Sequence, residues 1–238
     1  MKAMILAAGV GARLRPLTDT IPKPMLPIAD EPLLAHTLRW LKRYGVSEAA
    51  LNLHYLPEVV RAGLGDGARW RMRLHYSVEE RLLGTAGAVK RLAALFDETF
   101  LVIYGDLLLD FDLRALIALH RREAALMTIA LKPTDTPHSQ GMVACDASGR
   151  VVRFVEKPSA WPADQRVANA GVYVVEPQTL QHIPAEQPYD WGHDVLPQLI
   201  AAGAPIYGLP IDGQVIDIGT LEVYERYRRH GLRARPEA

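Results

Sequence analysis

The chain has 238 residues, with 27 basic and 27 acidic side chains in balance and 49% hydrophobic residues. No broad field attracts nucleic acid or an acidic membrane, so any anionic ligand must be held by local groups. The length allows one large domain with a real core, and the single cysteine, Cys145, excludes an internal disulfide framework and a cysteine-built zinc site, in keeping with a reducing cytoplasm.

In chain order, "KAMILAA" reads as a first strand; it is too short for a signal-peptide core and runs straight into Gly9. "PLLAHTLRWLKRYG" puts Leu34, Leu38 and Leu41 on one helical face and stops at Gly45. "AALNLHY", "FLVIYGD" and "LMTIALK" are β-like runs, while "PEVVRAGLG", "TAGAVKRLAALF" and "DLRALIALHRREA" supply helices, the last capped by Asp112. "RMRLHYS" alternates cleanly, as a half-exposed strand does. Strands alternating with helices in this way predict βαβ units wound into a mostly parallel sheet. From about residue 141 the pattern changes: "GMVACDASGRVVRFVEKP" reads as a hairpin, with Cys145 a small core or strand residue, and "NAGVYVVEP" as a further strand. "DWGHDVLPQLIAAG" is a helix that Pro197 should kink or shorten. "APIYGLPIDGQVIDIG" is strand-like, "TLEVYERYRRH" is a helix, and the five arginines from Arg226 to Arg235 read as a solvated face and a tail. No segment approaches the length needed to span a bilayer.

The stretch "MILAAGVGARLRPLT" raises the chemical question. A dinucleotide fingerprint would need a glycine where Leu14 stands, and a P-loop would need Gly-Lys-Ser/Thr where Arg13, Leu14 and Arg15 stand. Pro16, Pro22, Pro24, Pro27 and Pro32 keep the next segment extended or turning, so the first strand opens into a long loop. Gly9 and Gly11 let the backbone adopt positive φ and come close to a ligand, offering N–H donors to phosphate oxygens. Arg13 adds a planar charged fork, and Lys23, braced by two prolines, adds a second cation. Asp106 and Asp217 each close an apolar run, where ligands gather in open α/β sheets.

"LAAGVGARLRPLT" followed by "PKPMLPI" is very similar to the opening motif of the sugar-phosphate nucleotidyltransferases. "LGTAGAV", "YGD", "VEKP", "NAGVYV" and "DIGT" resemble further motifs of that family, in order along most of the chain. The resemblance implies a Rossmann-like α/β fold, with a mixed, mostly parallel central sheet flanked by helices and a small β-rich sugar-binding lobe. It implies one domain over 1–232, nucleotide-binding to about residue 135 and sugar-phosphate-binding from about 136, with 233–238 a tail. The reaction it implies joins a nucleoside triphosphate to a sugar 1-phosphate and releases pyrophosphate.

Carried over residue by residue, Arg13, Lys23 and Asp106 are catalytic, and Asp106 and Asp217 hold Mg²⁺. Leu6, Ala8, Gly9, Gly11, Arg13, Lys23, Gly84, Thr85 and Gly87 meet the nucleotide, while Gly141, Glu156, Lys157, Asn169 and Gly171 meet the sugar phosphate. The chain looks most like bacterial mannose-1-phosphate guanylyltransferases, with glucose-1-phosphate thymidylyltransferase and uridylyl or cytidylyl variants as alternatives. A non-catalytic sugar-nucleotide sensor is the alternative of another class. The expected partners are the two small substrates, with no nucleic acid or membrane and a homo-oligomer left open. Ala12 stands where the family often has Thr or Ser, and the run before Asp217 lacks the aromatic residue of many relatives. No β-helix extension is present, so no acetyltransferase activity is expected.

Overall fold

Apolar runs alternating with amphipathic ones become strands and covering helices in the computed structural model, which describes residues 1–233. The order begins with β1 (Lys2–Leu6), β2 (Pro27–Ile28), β3 (Glu31–Pro32), α1 (Leu33–Arg43), β4 (Glu48–Leu53), α2 (Pro57–Leu64) and β5 (Arg73–Val78). It continues through α3 (Gly84–Arg91), β6 (Phe100–Tyr104), β7 (Leu107–Phe111), α4 (Leu113–Arg122) and β8 (Met127–Pro133). The rest comprises β9 (Gly141–Cys145), β10 (Val151–Glu156), β11 (Val167–Val175), α5 (Leu196–Ala201), β12 (Ile206–Pro210), β13 (Gly213–Asp217) and α6 (Leu221–Tyr227). The class is the expected one, α/β with a mixed, mostly parallel sheet flanked by helices.

The chain divides by packing into two units. The first takes Met1–Leu82, Ile103–Phe111 and the stretch from Gly213; the second takes Leu83–Val102 and Asp112–Asp212. In the first, β4 pairs in parallel with both β1 and β5. The interior residues of β1 and nearly all of β4 are buried, which is why both read as unbroken apolar runs rather than alternating ones. Helix α1 buries Leu33, Leu34, Leu38, Trp40 and Leu41, and its exit is turned by Gly45 at φ 79°. β7 pairs antiparallel with β13, setting Asp217 opposite Leu107. Around this ladder Leu14, Leu26, Ile28, Leu33, Leu108, Ile218, Tyr224 and Tyr227 form one buried cluster. Burying a side chain of that size stabilises by about 1.5–3 kcal/mol.

In the second unit β8 pairs antiparallel with β11 and parallel with β12, while β9 and β10 form the expected hairpin. The hairpin turn is closed by Asp146, whose carboxylate accepts from the Ser148 and Arg150 amides at 2.9 and 3.1 Å. Asp112 caps α4 as expected, accepting from the Arg114 amide at 3.0 Å.

Three details differ from the sequence reading. The loop after β1 is built of short 3₁₀ turns, at Ala12–Leu14, Leu17–Asp19 and Lys23–Met25, because its prolines fix φ without forbidding a single turn. The helix expected over 190–203 opens as a wide π turn at Trp191–Val195; α5 starts only at Leu196, with Pro197 in its first turn, where a missing N–H costs nothing. The long strand-like run splits into β12 and β13 at Ile211 and Asp212. Of the two readings open for Cys145 the strand one holds: it ends β9, exposed. The expected tail beyond Arg233, Arg235 included, lies outside the described residues.

Candidate active site

The site in the first unit begins where β1 stops. The Ala7 amide donates to Asn52 Oδ1 at 2.9 Å, and Asn52 Nδ2 donates to Glu79 Oε1 at 2.9 Å. Asn52 and Glu79 are both buried, 4% and 2% exposed, so this polar chain fixes the direction in which the loop leaves the sheet. The sequence reading passed over both residues, although an asparagine within "AALNL" is the signal a buried polar partner leaves. On the other side the Gly105 amide donates to the Leu6 carbonyl at 2.8 Å. A Cβ at Gly105 would stand 2.8 Å from that same oxygen, so "YGD" needs its glycine for the approach.

Gly11 takes the left-handed conformation open to it, φ 67°, and its carbonyl accepts from the Leu14 amide and the Thr18 hydroxyl, both at 2.9 Å. Gly9 does not: it is absent from the positive-φ residues, and a Cβ there would meet no protein atom within 4 Å. The freedom to take positive φ is used at Gly11 and not at Gly9, and neither backbone strain nor packing within the chain demands glycine at Gly9.

Lys23 is the centre of the cluster. Its side chain is only 10% exposed, and Nζ donates to Asp106 Oδ2 at 2.5 Å and to Asp217 Oδ1 at 3.4 Å. A buried ammonium needs such partners, because the cost of desolvating it is offset only by charge and hydrogen bonds. Arg13 comes to the same place: a Cβ on Gly219 would lie 3.1 Å from an Arg13 guanidinium nitrogen and 3.0 Å from Asp217 Oδ1. Each functional residue sits close to an anchor in the buried cluster: Arg13 by Leu14, Lys23 three residues before Leu26, Asp106 two before Leu108, and Asp217 by Ile218. The Ile218 amide donates to the Asp106 carbonyl at 3.0 Å, tying the backbones of the two acids together. Two cations and two carboxylates thus share one rim, an arrangement able to bind and polarise a polyphosphate.

The second unit carries a different cluster. Glu156 is largely buried, and Lys157 Nζ lies 3.5 Å from Glu156 Oε1. Cβ atoms on Gly141 and Gly192 would stand 2.7 and 2.8 Å from Glu156 Oε2, so two glycines make the space for that carboxylate. Asn169 Nδ2 donates to the Tyr173 hydroxyl at 2.5 Å, and Asn169 Oδ1 accepts from the Gly171 amide at 2.9 Å, across an irregularity in β11. Gly84 and Gly87 lie against backbone: Ala86 and Gly87 amides both donate to the Tyr189 carbonyl, at 2.9 and 3.0 Å. The hydroxyl of Thr85 donates to Asp190 Oδ2 at 2.6 Å. Gly192 and Asp190 were not singled out in the sequence.

A parallel sheet whose first strand opens into a glycine and arginine loop, with acids at strand ends in the same unit, defines the class as a Rossmann-like α/β protein. Comparison with known proteins narrows that class: the family model described as nucleotidyl transferase matches residues 2–232, and the chain belongs to that family. It is 38% identical over 238 residues to a UTP–glucose-1-phosphate uridylyltransferase of Synechocystis sp., covering 94% of this chain and 61% of the relative. It is likewise 38% identical over 226 residues to a mannose-1-phosphate guanylyltransferase of Mycobacterium tuberculosis, covering 94% and 62%. The chain therefore spans about three fifths of the length of the curated relatives it matches. Among solved structures, HddC from Yersinia pseudotuberculosis superposes with a TM-score of 0.81 at 25% identity, covering 95% of this chain and 97% of that one. A Bacillus anthracis protein in complex with a sucrose, 21% identical, gives 0.87 over 100% and 96%, which shows a shared fold. Among the described residues no helix is long and apolar enough to cross a membrane.

Proposed function

We propose that this chain joins a nucleoside triphosphate to a sugar 1-phosphate, giving a nucleoside-diphosphate sugar and pyrophosphate in the cytoplasm. The observation that carries the reading is the Lys23 ammonium gripped by Asp106 and Asp217, with Arg13 at the same rim. The reaction is an in-line attack of a sugar-phosphate oxygen on the α-phosphorus; that P–O bond forms as the bond to the leaving pyrophosphate breaks. No protein nucleophile is needed, so catalysis falls to positioning and to cations that meet accumulating negative charge.

Lys23 meets the α-phosphate and Arg13 the leaving pyrophosphate. The backbone from Leu6 through Ala8, Gly9 and Gly11 cradles phosphate oxygens; the open space over Gly9 supports this, since only a ligand's approach would demand a glycine there. Asp106 and Asp217 suit a hard divalent ion. They come from separate segments and already converge on one cation, and two carboxylates completed by phosphate oxygens and water match what Mg²⁺ prefers. Bound there, Mg²⁺ would neutralise phosphate charge and polarise the α-phosphate.

On the sugar side Glu156 accepts from sugar hydroxyls, Lys157 meets the sugar phosphate, and Asn169, Gly141 and Gly171 shape the pocket. Gly84, Thr85 and Gly87 form the nucleotide-side loop. This functional division, near residue 135, differs in kind from the packing units. The guanylyl and mannose pair is the primary reading; the uridylyl and glucose pair is the second, favoured by the equal identity of the Synechocystis relative.

A pyrophosphate-release screen of GTP, dTTP, UTP, CTP and ATP against mannose 1-phosphate and glucose 1-phosphate tests the proposal. Release is expected only with both substrates and a divalent ion present. No release from any pair, together with tight binding of a nucleoside-diphosphate sugar, would make the protein a sensor.

A further inference from the structure

Resting on that reading, we propose that Thr85 and Asp190 form a latch making the nucleotide-side loop and the sugar-side carboxylate one mechanical piece. Both act as positioning residues rather than ligands. The Thr85 hydroxyl is engaged inside the protein: it donates to Asp190 Oδ2 at 2.6 Å and accepts from the Trp191 amide at 2.9 Å. Its one proton and one of its lone pairs are already used, which leaves it a poor donor to a nucleotide.

The latch is reinforced on both sides. Tyr189 donates its amide to the Leu83 carbonyl at 2.9 Å and accepts from Ala86 and Gly87 through its own carbonyl. Asp190 Oδ1 accepts from the amides of Gly192 and His193 at 2.8 and 3.2 Å, and the Asp190 amide donates to Asp194 Oδ2 at 2.8 Å. A cap of this type satisfies donors at the start of the π turn and fixes its first residues.

What the turn positions is Gly192, whose missing Cβ makes the room occupied by Glu156 Oε2, against the Phe154 ring. The turn also buries Trp191 completely while its Nε1 finds no acceptor among the described residues. Burial of the ring, stacked on Tyr173, offsets that unsatisfied N–H, while the Asp190 contacts set the backbone of the turn around it. Segment 83–87 and segment 189–194 therefore move together. Ordering the loop on a nucleotide would preorganise Glu156 for the sugar, and by linkage the reverse holds equally.

The test compares wild type, Thr85→Val, Thr85→Ser and Asp190→Asn, using GTP with mannose 1-phosphate and UTP with glucose 1-phosphate. For the pair that turns over, Thr85→Val and Asp190→Asn should raise the sugar 1-phosphate KM about tenfold while kcat changes little, the size expected for losing one charge-assisted hydrogen bond. Thr85→Ser should restore wild-type KM. A rise in the nucleotide KM alone would overturn the latch, as would a serine variant that fails to rescue. Amide hydrogen exchange decides the matter independently of turnover. Thr85→Val should speed exchange in the peptide covering 189–194 relative to wild type, and unchanged exchange overturns the proposal. Should wild type turn over no substrate pair, the enzymatic reading fails, and exchange still reports on the latch.

Discussion

The two clusters solve different problems with different materials. In the first unit charges answer charges: an almost buried ammonium lies between two carboxylates, a guanidinium stands beside one of them, and each is close in sequence to an anchor of one apolar cluster. In the second unit a single carboxylate fits into room left by two glycines, with a lysine at 3.5 Å. The first arrangement suits a ligand dense in charge, where a small displacement is tolerated because Coulomb attraction falls slowly with distance. The second suits a ligand dense in hydroxyls, where shape decides. Substitutions should therefore act on rate in the first unit and on the sugar's affinity in the second.

The largest effect belongs to the charged cluster. Asp106→Asn keeps the side chain's shape and still accepts from Lys23, but removes one of the two charges offered to a divalent ion. Turnover should fall by at least about 10² to 10³, with the sugar KM little changed, as for loss of an electrostatic stabiliser. Lys23→Ala should cost turnover a similar factor, and should also lower stability by about 1–3 kcal/mol, because two carboxylates are left facing one another without their cation. Steady-state kinetics and thermal melts read both. Near-normal turnover in either variant would remove that residue from the chemistry, and a loss confined to the sugar KM would break the contrast between the units.

How much of this was legible depends on the same contrast. Arg13, Lys23, Asp106 and Asp217 could be picked from sequence because charged residues bracketed by prolines, or closing apolar runs, stand out from their neighbours. Their convergence could not be read from local pattern, since Lys23 and Asp217 are 194 positions apart and are brought together by the pairing of β7 with β13. The strand over "LLLDF" has no alternating pattern to reveal it, since its one polar residue falls inside an apolar run. Asp110 faces solvent opposite Gln214 in the ladder. In the second unit Glu156, Lys157 and Asn169 were legible by motif, whereas Gly192 and Asp190 were hidden inside what read as an ordinary helix. The π turn that exposes their roles has no sequence period of its own.

An intermediate effect sharpens the comparison from the shape side. Gly192→Ala adds one methyl, 2.8 Å from Glu156 Oε2 and 3.2 Å from Phe154, so the carboxylate has to move while every charge is kept. The sugar 1-phosphate KM should rise about tenfold with kcat nearly preserved, the cost of one misplaced hydrogen-bonding group. Glu156→Gln should raise the same KM by a comparable factor. If Gly192→Ala lowers kcat as strongly as Asp106→Asn, the second unit acts on rate as well, and the division of labour is wrong.

The smallest effect lies outside the sugar-side cluster, at Cys145. Its residue is exposed at the end of β9, yet burial of the sulfur, followed by the negative charge of Asp146, pushes the thiol above its ordinary value. Because the thiolate is the nucleophile, a raised value leaves less of the reactive form at neutral pH. Labelling by iodoacetamide at about pH 7.5 should be slower than for a free cysteine, and its rate should keep climbing at pH values where a free thiol has already levelled off. Turnover and both KM values should be unchanged after labelling, since Cys145 touches neither cluster. Fast labelling would contradict the burial of the sulfur. A change in the sugar KM after labelling would extend the shape-sensitive region of the second unit to the hairpin formed by β9 and β10.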